Sequence, residues 1–463
     1  MAPIVAGVDS STQSVKVVLR DAESGELIAQ TSRPHPDGTE VDPRHWHQAL
    51  DSALKELASH SIDAISIAGQ QHGMVALDAS GEVIRPALLW NDTRSSGEAE
   101  EINKEFPNIH QRTGSKLVAS FTASKVRWLS KNEPESAKKV AAIALPHDWL
   151  SWKLQGGNQI NKLFTDRSDA SGTGYFDSVN NQYCGDIFSF CLPNAEDIHL
   201  PKIVFPNELA GETTSGIPIA AGAGDNAGAA LGVGAKVGDL VISLGTSGTA
   251  FVVSSTPTHD VSGEVAGFAD ATGNYLPLAC TLNAAKIFAS TSAMLNLTFD
   301  QFSELALSAR SGADGLRLLP HFDGERTPNR PNSRGQLVGI NHSNFTRENI
   351  ARAAIEGVLA GMVYAATAVS KLGVNWNRVL LIGGAAKNSA VQQIAAKLFG
   401  GEVVIPAPGE YVADGAAKQA AWALTGAKEL PDWKDSKIET LTADYSEEDR
   451  EVVTSYLNLI SKI

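Results

Sequence analysis

The stretch IPIAAGAGDNAGAALGVG, residues 217–234, predicts a buried strand, a glycine turn and then a helix of small residues. One acidic residue, Asp225, lies at the turn. A strand–turn–strand unit follows at 239–253, DLVISLGTSGTAFVV, and its turn is the GTSG of residues 245–248. A lone carboxylate near a turn of glycines and hydroxyl groups indicates phosphoryl transfer to a hydroxyl.

The composition is typical of a soluble globular protein with a full core. The chain has 463 residues, enough for two or three domains, and 43% of them are hydrophobic and 19% charged. The formal net charge is −14, which disfavours nucleic acids and anionic membranes as partners. Backbone N–H groups, rather than a basic face, are therefore expected to hold any phosphate-bearing ligand.

Three features predict a cytoplasmic location. The three cysteines, an odd number at irregular spacing, are expected to be reduced thiols rather than disulfides or zinc ligands. Residues 1–20 lack the basic and apolar regions of a signal peptide. The most apolar window, around 215–235, is interrupted by an aspartate and by glycines, so it does not predict a membrane span.

The chain contains a repeated unit that predicts two related domains. A strand, a turn rich in Ser and Thr, and a second strand open the chain at 4–19, and the same pattern recurs at 239–253. We expect the two turns to face each other across a cleft between these domains.

The first turn follows Asp9 at the end of the opening strand. Backbone N–H groups and hydroxyls in such a turn can point at a phosphate, and these would come from Ser11, Thr12 and Gln13. The Asp9 carboxylate suits Mg²⁺, directly or through water, because that ion prefers oxygen ligands. The alternative is an ordinary hairpin turn, where Asp, Ser and Thr are common.

The second half offers two further nucleotide-binding candidates. Gly245, Thr246 and Ser247 form a turn whose glycine allows close approach of the backbone to a phosphate, although a simple glycine hairpin is the alternative. The glycines at 383–384 follow a predicted buried strand and would leave room for adenine or ribose. Asn388 is placed to hydrogen-bond the nucleoside. A close strand-to-helix turn is the competing interpretation.

Asp225 is the candidate general base. A helix N-terminus favours the ionised carboxylate, and a base that removes a hydroxyl proton during phosphoryl transfer must be ionised and positioned. The alternative role is a helix cap, which is common for Asp. The two roles are compatible.

Two polar clusters lie at the ends of predicted apolar strands, where ligand-binding side chains gather in α/β sheets. The groups that suit a polyol are the amides, imidazole, indole and carboxylate of Gln71, His72, Trp90, Asn91 and Asp92. A structural role for His72 stays open.

Several dispersed motifs occur in an order and spacing that resemble the FGGY family of sugar kinases. They are GVDSST (7–12), AGQQHG (68–73), LWND (89–92), GAGDN (222–226), LGTSG (244–248), GERTP (324–328) and IGGA (382–385). The resemblance extends from the first strand to about residue 425. It implies an α/β, two-domain, actin-like or ribonuclease-H-like ATPase fold with a catalytic cleft between the domains. The N-terminal domain, 1–236, would hold the sugar site and the first turn, and the C-terminal domain, 237–463, would bind the nucleotide and end in a helical tail.

The resemblance also implies an activity, transfer of the γ-phosphate of ATP to a sugar hydroxyl with Mg²⁺. Asp225 would be the base and Asp9 the metal and phosphate organiser, with Asn226 beside them as a sugar ligand. Gln71 and His72 match the pair that contacts D-xylulose in the family, so the resemblance implies D-xylulose as the acceptor and D-xylulose 5-phosphate as the product. Many family members that act on this sugar have Met where this chain has Gln71. Ribulose, glycerol or gluconate kinases of the family are the near alternatives, and an actin-like ATPase or a sugar-sensing regulator the distant ones. A homodimer is compatible with this interpretation.

Overall fold

A computed structural model describes residues 2–433 and 439–462, so residues 434–438 and 463 of the predicted second domain lie outside the described part. Two mixed β-sheets form its core, and helices cover both.

The strands are, in chain order, β1 (Ile4–Ser10), β2 (Ser14–Asp21), β3 (Leu27–Pro34), β4 (Glu40–Val41), β5 (Ala64–Gly69), β6 (Val75–Leu77), β7 (Ala87–Leu88), β8 (Ala142–Ala144), β9 (Phe164–Asp166), β10 (Phe176–Asp177), β11 (Gln182–Tyr183), β12 (Lys202–Val204), β13 (Leu209–Glu212), β14 (Pro218–Ala220), β15 (Ala223–Gly224), β16 (Asp239–Leu244), β17 (Gly248–Val252), β18 (Ala266–Ala269), β19 (Tyr275–Thr281), β20 (Arg317–Leu319), β21 (Gln336–Val338), β22 (Arg378–Ile382), β23 (Glu402–Ile405) and β24 (Glu439–Thr442).

The α-helices are α1 (Pro43–Glu56), α2 (Ser96–Glu105), α3 (Ile109–Thr113), α4 (Thr122–Asn132), α5 (Pro134–Ala137), α6 (Pro146–Leu154), α7 (Arg167–Ala170), α8 (Gly185–Cys191), α9 (Asp225–Gly232), α10 (Ala285–Met294), α11 (Phe299–Ser308), α12 (Arg347–Ser370), α13 (Ser389–Phe399), α14 (Tyr411–Thr425) and α15 (Glu447–Ile460).

The two large sheets have the same strand order and the same strand directions. In the first, β1 is antiparallel to β2 and parallel to β5, β2 is antiparallel to β3, and β5 is parallel to β14. In the second, β16 takes the place of β1, with β17 and β19 on its antiparallel side and β22 and β23 on its parallel side. The predicted repeat is therefore confirmed.

Central strands of both sheets are apolar along nearly their whole length because helices cover both faces. Every residue of β1 except Ile4 is buried, and β5 is buried throughout. The turns that follow β1 and β16 occupy equivalent places in the two sheets. The carboxyl ends of the parallel strands bring these turns and the residues after β5 and β15 to one edge of each sheet.

Helices α9 and α14 pack backbone against backbone. A Cβ on Gly415 would lie 1.8 Å from the carbonyl oxygen of Gly228, and a Cβ on Gly232 would lie 1.9 Å from that of Tyr411. Only glycine permits this approach. Helix α14 also lies on β1, because a Cβ on Gly7 would lie 1.9 Å from the carbonyl oxygen of Ala413. A helix of the predicted second domain thus contacts the first sheet, while the predicted boundary at residue 236 stays a prediction.

Among the described residues, one helix, α12, has the length and hydropathy of a membrane span. Most of its apolar window, 78%, is buried inside the protein, so packing in the second core accounts for its composition. Its N-cap is Thr346, whose side chain accepts a hydrogen bond from the N–H of Asn349.

Candidate active site

Asp225 is the first residue of helix α9, and Gly224 is the N-cap. The proposed capping role is therefore wrong in its literal form, since the carboxylate does not occupy the cap position. Its Oδ1 instead accepts hydrogen bonds of 2.8 Å from the N–H of Asn226 and from Nδ2 of the same residue. The carboxylate is held rigidly at the start of the helix.

Burial raises the pKa of Asp225 to about 6, and the hydrogen bonds from Asn226 oppose that rise. The sequence had predicted a carboxylate kept ionised by the helix N-terminus. Burial is the stronger effect, yet a pKa of about 6 still leaves the group mostly ionised at pH 7. Such a carboxylate suits a general base that works near neutral pH.

Asp9 lies one residue before the end of β1 and is buried. Its Oδ1 has no hydrogen-bond partner among the described residues. Burial raises the pKa of Asp9 to about 7, the charge of Lys16 opposes the rise, and the charge of Asp225 adds to it. Oδ1 of Asp9 is thus a buried oxygen that lacks a hydrogen-bond partner among the described residues, and Asp9 is close enough to Asp225 for the charge of Asp225 to raise its pKa. Such an oxygen is suited to bind a cation.

Lys16 is a site residue that was not predicted from the sequence. It lies directly opposite Asp9 in the antiparallel ladder of β1 and β2, and its ammonium pairs with Glu410 at 2.5 Å. Glu410 precedes α14, so the ion pair joins the two halves of the chain. The signal was available, since a lysine interrupts an apolar strand directly after the Ser/Thr-rich turn.

The first turn is a hairpin whose donors are partly occupied. The N–H and the hydroxyl of Ser11 both bind the carbonyl oxygen of Ser14 at 3.0 Å. Thr12 accepts the indole N–H of Trp90 at 2.9 Å and donates to Gln70 at 3.3 Å. Gln13 is exposed. The turn is thereby fastened to the residues that follow β5.

Gln71 and His72 follow β5 and lie beside the turn that carries Asp225. Gln71 is buried, its Nε2 donates to the carbonyl oxygen of Ser168 at 3.3 Å, and a Cβ on Gly224 would lie 2.6 Å from that nitrogen. Nδ1 of His72 lies 2.7 Å from the carbonyl oxygen of Gly172, so this nitrogen carries the proton.

The His72 ring is kept neutral by its surroundings. It lies against the rings of Phe121 and Phe268, with centroids 5.1 and 5.4 Å away. Burial lowers the pKa of His72 to about 3, although the Gly172 hydrogen bond opposes this. Nε2 is therefore an unprotonated acceptor, which suits a sugar hydroxyl. The backbone of His72 has φ of 70°, a conformation in which His is one of the tolerated residues.

The second polar cluster is largely engaged with the protein itself. The indole N–H of Trp90, predicted as a polyol donor, binds Thr12 instead. Asp92 accepts from Thr39 at 2.8 Å and from Arg94 at 2.9 and 3.0 Å. Burial alone would raise the pKa of Asp92, but these bonds outweigh it and hold the pKa below its usual range. Asn91 differs, because its buried Oδ1 lacks a partner among the described residues.

The second turn is more open than the first. Gly245 and Thr246 are exposed and Ser247 is half-buried, while the N–H of Gly245 donates to the carbonyl oxygen of Ser247 at 3.0 Å. Thr249, on the strand that follows, donates to Oδ1 of Asn226 at 3.4 Å. The second turn is thereby connected to the residue next to Asp225.

The other nucleotide-binding candidates combine structural roles with open space. Gly383 has φ of 95°, and a Cβ there would lie 2.6 Å from the carbonyl oxygen of Leu244, so the strand-to-helix turn itself requires glycine. Gly384 has no atom near a potential Cβ. Asn388 is the N-cap of α13, and its Oδ1 accepts from the N–H groups of Ala390 and Val391. The side-chain oxygen of Asn388 is therefore already engaged in hydrogen bonds to the backbone of α13.

No site residue was predicted within residues 167–173, which are helix α7 and the turn after it. The backbone of this segment nevertheless contacts both Gln71 and His72. The segment is short and polar, and its role depends on contacts with residues about 100 positions away in the chain. No local sequence pattern signals such contacts.

Two family models match the chain. The N-terminal domain of the FGGY family of carbohydrate kinases matches residues 4–232, and its C-terminal domain matches residues 240–424. The chain therefore belongs to the FGGY family of carbohydrate kinases. As an FGGY kinase it is a phosphotransferase, and the family uses ATP.

Relatives of this FGGY kinase cover nearly its whole length. The xylulose kinase of Streptomyces coelicolor is 43% identical over 442 residues, which is 92% of this chain and 89% of that one. The crystal structure of xylulose kinase from Bifidobacterium adolescentis has a TM-score of 0.91, 42% identity and 99% coverage of both chains. Glycerol kinase of Plasmodium falciparum with ADP has a TM-score of 0.85 at 21% identity over 100% of this chain and 98% of that one, which shows the same fold. The predicted two-domain actin-like fold is confirmed.

Proposed function

We propose that this FGGY kinase transfers the γ-phosphate of ATP to D-xylulose and forms D-xylulose 5-phosphate and ADP. The observation that carries the proposal is the likeness to named xylulose kinases over nine-tenths of the chain. The arrangement of Asp225, Asn226 and His72 supports it, because a carboxylate, an amide and a neutral imidazole suit a polyhydroxyl substrate.

In this proposal Asp225 removes the proton from the 5-hydroxyl of the sugar. The freed oxygen attacks the γ-phosphorus, the bond from that phosphorus to the β–γ bridging oxygen breaks, and ADP leaves with the electron pair. Asp225 suits this role because its pKa of about 6 keeps it ionised at neutral pH and close to the range where proton transfer is efficient. The hydrogen bonds from Asn226 fix its orientation.

The proposed ATP site uses both turns. Ser11, Thr12 and Gln13 would face the phosphates from one side and residues 245–247 from the other, while Gly383, Gly384 and the amide nitrogen of Asn388 would lie near the nucleoside. Lys16 adds positive charge near Asp9. These assignments follow from the equivalent positions of the two turns in the two sheets.

Mg²⁺ is part of the proposal, and the residues fit it. Asp9 has a buried carboxylate oxygen that lacks a hydrogen-bond partner among the described residues, as a magnesium ligand would. Bound there with ATP, the ion would offset negative charge on the phosphates.

The proposed sugar site lies at the ends of β5 and β15. Nε2 of His72 would accept a hydrogen bond from one sugar hydroxyl. Asn226 would bind another, as would Oδ1 of Asn91, which lacks a partner in the described part of the chain. Gln71 would contribute its side-chain oxygen, since its nitrogen is bound to Ser168. Trp90 and Asp92 would shape the pocket indirectly, because Trp90 positions Thr12 and Asp92 positions Arg94.

A cytoplasmic location, the absence of nucleic acid and membrane partners, and a homodimeric state also belong to the proposal. The location and the absence of these partners rest on composition and on the acidic net charge of −14, and a homodimer is compatible with them.

ADP formation with Mg-ATP and D-xylulose, D-ribulose, L-ribulose, glycerol or gluconate tests the substrate. We expect kcat/KM for D-xylulose to exceed that for each alternative at least tenfold. A preference for another member of the panel would overturn the substrate and retain the kinase. Hydrolysis of ATP at a rate that no sugar alters would overturn the kinase proposal.

A further inference from the structure

Residues 167–173, which are helix α7 and the turn that follows it, form a short buried segment behind the proposed sugar pocket and bind three parts of it. The carbonyl oxygen of Ser168 accepts Nε2 of Gln71 at 3.3 Å, and that of Gly172 accepts Nδ1 of His72 at 2.7 Å. The hydroxyl of Ser168 accepts the N–H of Gly224, the residue before Asp225, at 3.1 Å. The position of this segment therefore sets the positions of Gln71, His72 and the start of α9.

A buried ion pair between His147 and Asp169 connects this segment to the protein core, and neither residue has a role in the proposed reaction. Oδ2 of Asp169 lies 2.6 Å from Nδ1 of His147, and both side chains are fully buried. His147 is the second residue of α6, whose first residue is Pro146. The remaining oxygen of Asp169 has no hydrogen-bond partner among the described residues, so within that part of the chain this carboxylate is held by His147. Asp166, Arg167 and Ser171 hold the same segment through other hydrogen bonds.

His147 also touches the two strands that lead into the pocket. A Cβ on Gly222 would lie 2.5 Å from Cδ2 of the imidazole, and a Cβ on Gly69 would lie 3.0 Å from Cβ of His147. Gly69 ends β5, which leads to Gln71, and Gly222 precedes β15, which leads to Asp225. The ring is thus packed between the two chain segments that carry the proposed site.

A hydrogen bond describes this cluster better than a metal site. His147, Asp148 and Asp169 offer ligand atoms within 4.8 Å of one another, the spacing that a metal ion would need. The 2.6 Å separation of Nδ1 and Oδ2 is too short for two ligands of one ion, since ligands at about 2.1 Å from a metal lie roughly 3 Å or more apart. It matches a charge-assisted hydrogen bond.

We propose that His147, through its hydrogen bond to Asp169, is a positioning residue for the acceptor sugar: it fixes the segment 167–173, which in turn orients Gln71, His72 and the start of α9. This inference rests on the proposed function. The nucleotide side of the cleft, residues 245–247 and 383–388, lies in the other sheet and is expected to be independent of it.

The test compares His147→Leu with His147→Asn. Leucine removes the hydrogen bond and keeps an apolar side chain of similar size, whereas Nδ2 of asparagine can take the place of Nδ1 and donate to Asp169. We expect His147→Leu to raise KM for D-xylulose at least tenfold with KM for ATP changed less than twofold. His147→Asn should return KM for the sugar to within threefold of the wild-type value.

His321→Leu is the matched control. His321 is as deeply buried as His147 and has two hydrogen-bonding contacts, to Ser333 and Tyr456, but it lies in the second half of the chain. We expect His321→Leu to lower the melting temperature and to leave KM for the sugar within twofold. If His147→Leu does not fold, Ser168→Ala, which removes the hydroxyl contacts to Gly224 and Asp166, is expected to raise the same KM about threefold.

Several results would overturn the inference. The first is a KM for the sugar that is unchanged in folded His147→Leu. The second is an equal rise of KM for the sugar in the Leu and Asn variants, accompanied by a matching rise of KM for ATP. The third is a stoichiometric amount of bound metal in the purified wild type, measured by mass spectrometry. If the wild type prefers another sugar of the panel, the proposed substrate fails, and the same ratio of KM values is measured with that sugar. If no sugar is phosphorylated, both proposals fail.

Discussion

Nδ1 of His72 donates to the carbonyl oxygen of Gly172 at 2.7 Å, and this bond fixes which nitrogen of the ring faces the substrate. A carbonyl only accepts, so the proton is on Nδ1 and Nε2 keeps its lone pair. Burial holds the pKa of the ring at about 3, so the tautomer persists across the working pH range. His72 is thereby a hydrogen-bond acceptor rather than a cation.

His72→Asn tests this role. Asparagine tolerates the positive φ of this position and can donate to Gly172, but it lacks the Nε2 acceptor. Loss of one hydrogen bond of about 1 kcal/mol predicts a rise in KM for D-xylulose of roughly fivefold to tenfold. Initial-rate kinetics measure this, and KM for ATP serves as the internal control. A sugar KM equal to that of the wild type contradicts the assignment.

Asp225→Asn should abolish most of the activity. The amide retains the shape of the carboxylate but does not accept a proton, and loss of a general base typically costs about 10²–10⁴ in rate. We expect kcat to fall in this range while binding of ATP, followed by calorimetry, is unchanged. Asp37→Asn, at an exposed position, is the control. Near-normal turnover by folded Asp225→Asn would exclude Asp225 as the base.

The pH profile of the wild type should follow the same carboxylate. Asp225 acts as a base only when ionised, and its pKa is raised to about 6. We therefore expect kcat/KM for the sugar to rise as pH increases through about 6, to rise further through about 7 where Asp9 ionises, and to level off above about 8. His72 titrates well below this window and should not contribute. A profile that is flat from pH 5 to pH 8 contradicts this prediction.

Asp9→Asn should stabilise the free protein while it removes activity. The pKa of Asp9 is raised from 3.8 to about 7, so the folded state resists ionisation and this group lowers stability progressively as pH rises from about 4 to about 7. Removing the charge should increase the free energy of unfolding at pH 8 by about 1–3 kcal/mol, with a smaller gain at pH 5. Denaturant unfolding at both pH values measures the difference. An equal or opposite effect at the two pH values would show that the charge of Asp9 is not the cause.

The contact between α9 and α14 gives a prediction about folding. Gly415→Ala places a methyl group 1.8 Å from the carbonyl oxygen of Gly228, so the two helices must separate. We expect a loss of stability of about 3 kcal/mol or more, measured by denaturant unfolding. Gly97→Ala is the control, because it lies within α2 with open space around it and should be neutral or slightly stabilising. Equal stability of the two variants would contradict the close packing.

The sequence predicted the parts of the fold that depend on local pattern. Asp42 as an N-cap and Pro43 at the first helical position predict the start of a helix, and α1 begins at Pro43, because a capping side chain and a proline act locally. The repeated strand–turn–strand units were also predicted, since β1 and β16 are apolar strands that end in polar turns. These features require no knowledge of distant contacts.

The sequence could not predict which polar groups already have partners. The side chains of Trp90, Asp92 and Asn388 have the chemistry of ligand-binding groups, but each is already hydrogen-bonded within the protein. Trp90 binds Thr12, and Asp92 binds Thr39 and Arg94. Asn388 binds the first turn of α13. Such pairings depend on tertiary contacts rather than on local pattern. The pKa of Asp225 is a second case, because the effect of burial on a carboxylate outweighs that of the helix N-terminus.

The most direct measurement is phosphorus and carbon NMR of the reaction of the wild-type enzyme with Mg-ATP and D-xylulose. We predict one new phosphomonoester that forms in equal amount to ADP and shows coupling between phosphorus and C5 of the sugar, and no such signal with Asp225→Asn. Phosphate attached to another carbon, or ADP formed without any sugar ester, would contradict phosphoryl transfer to the 5-hydroxyl of D-xylulose.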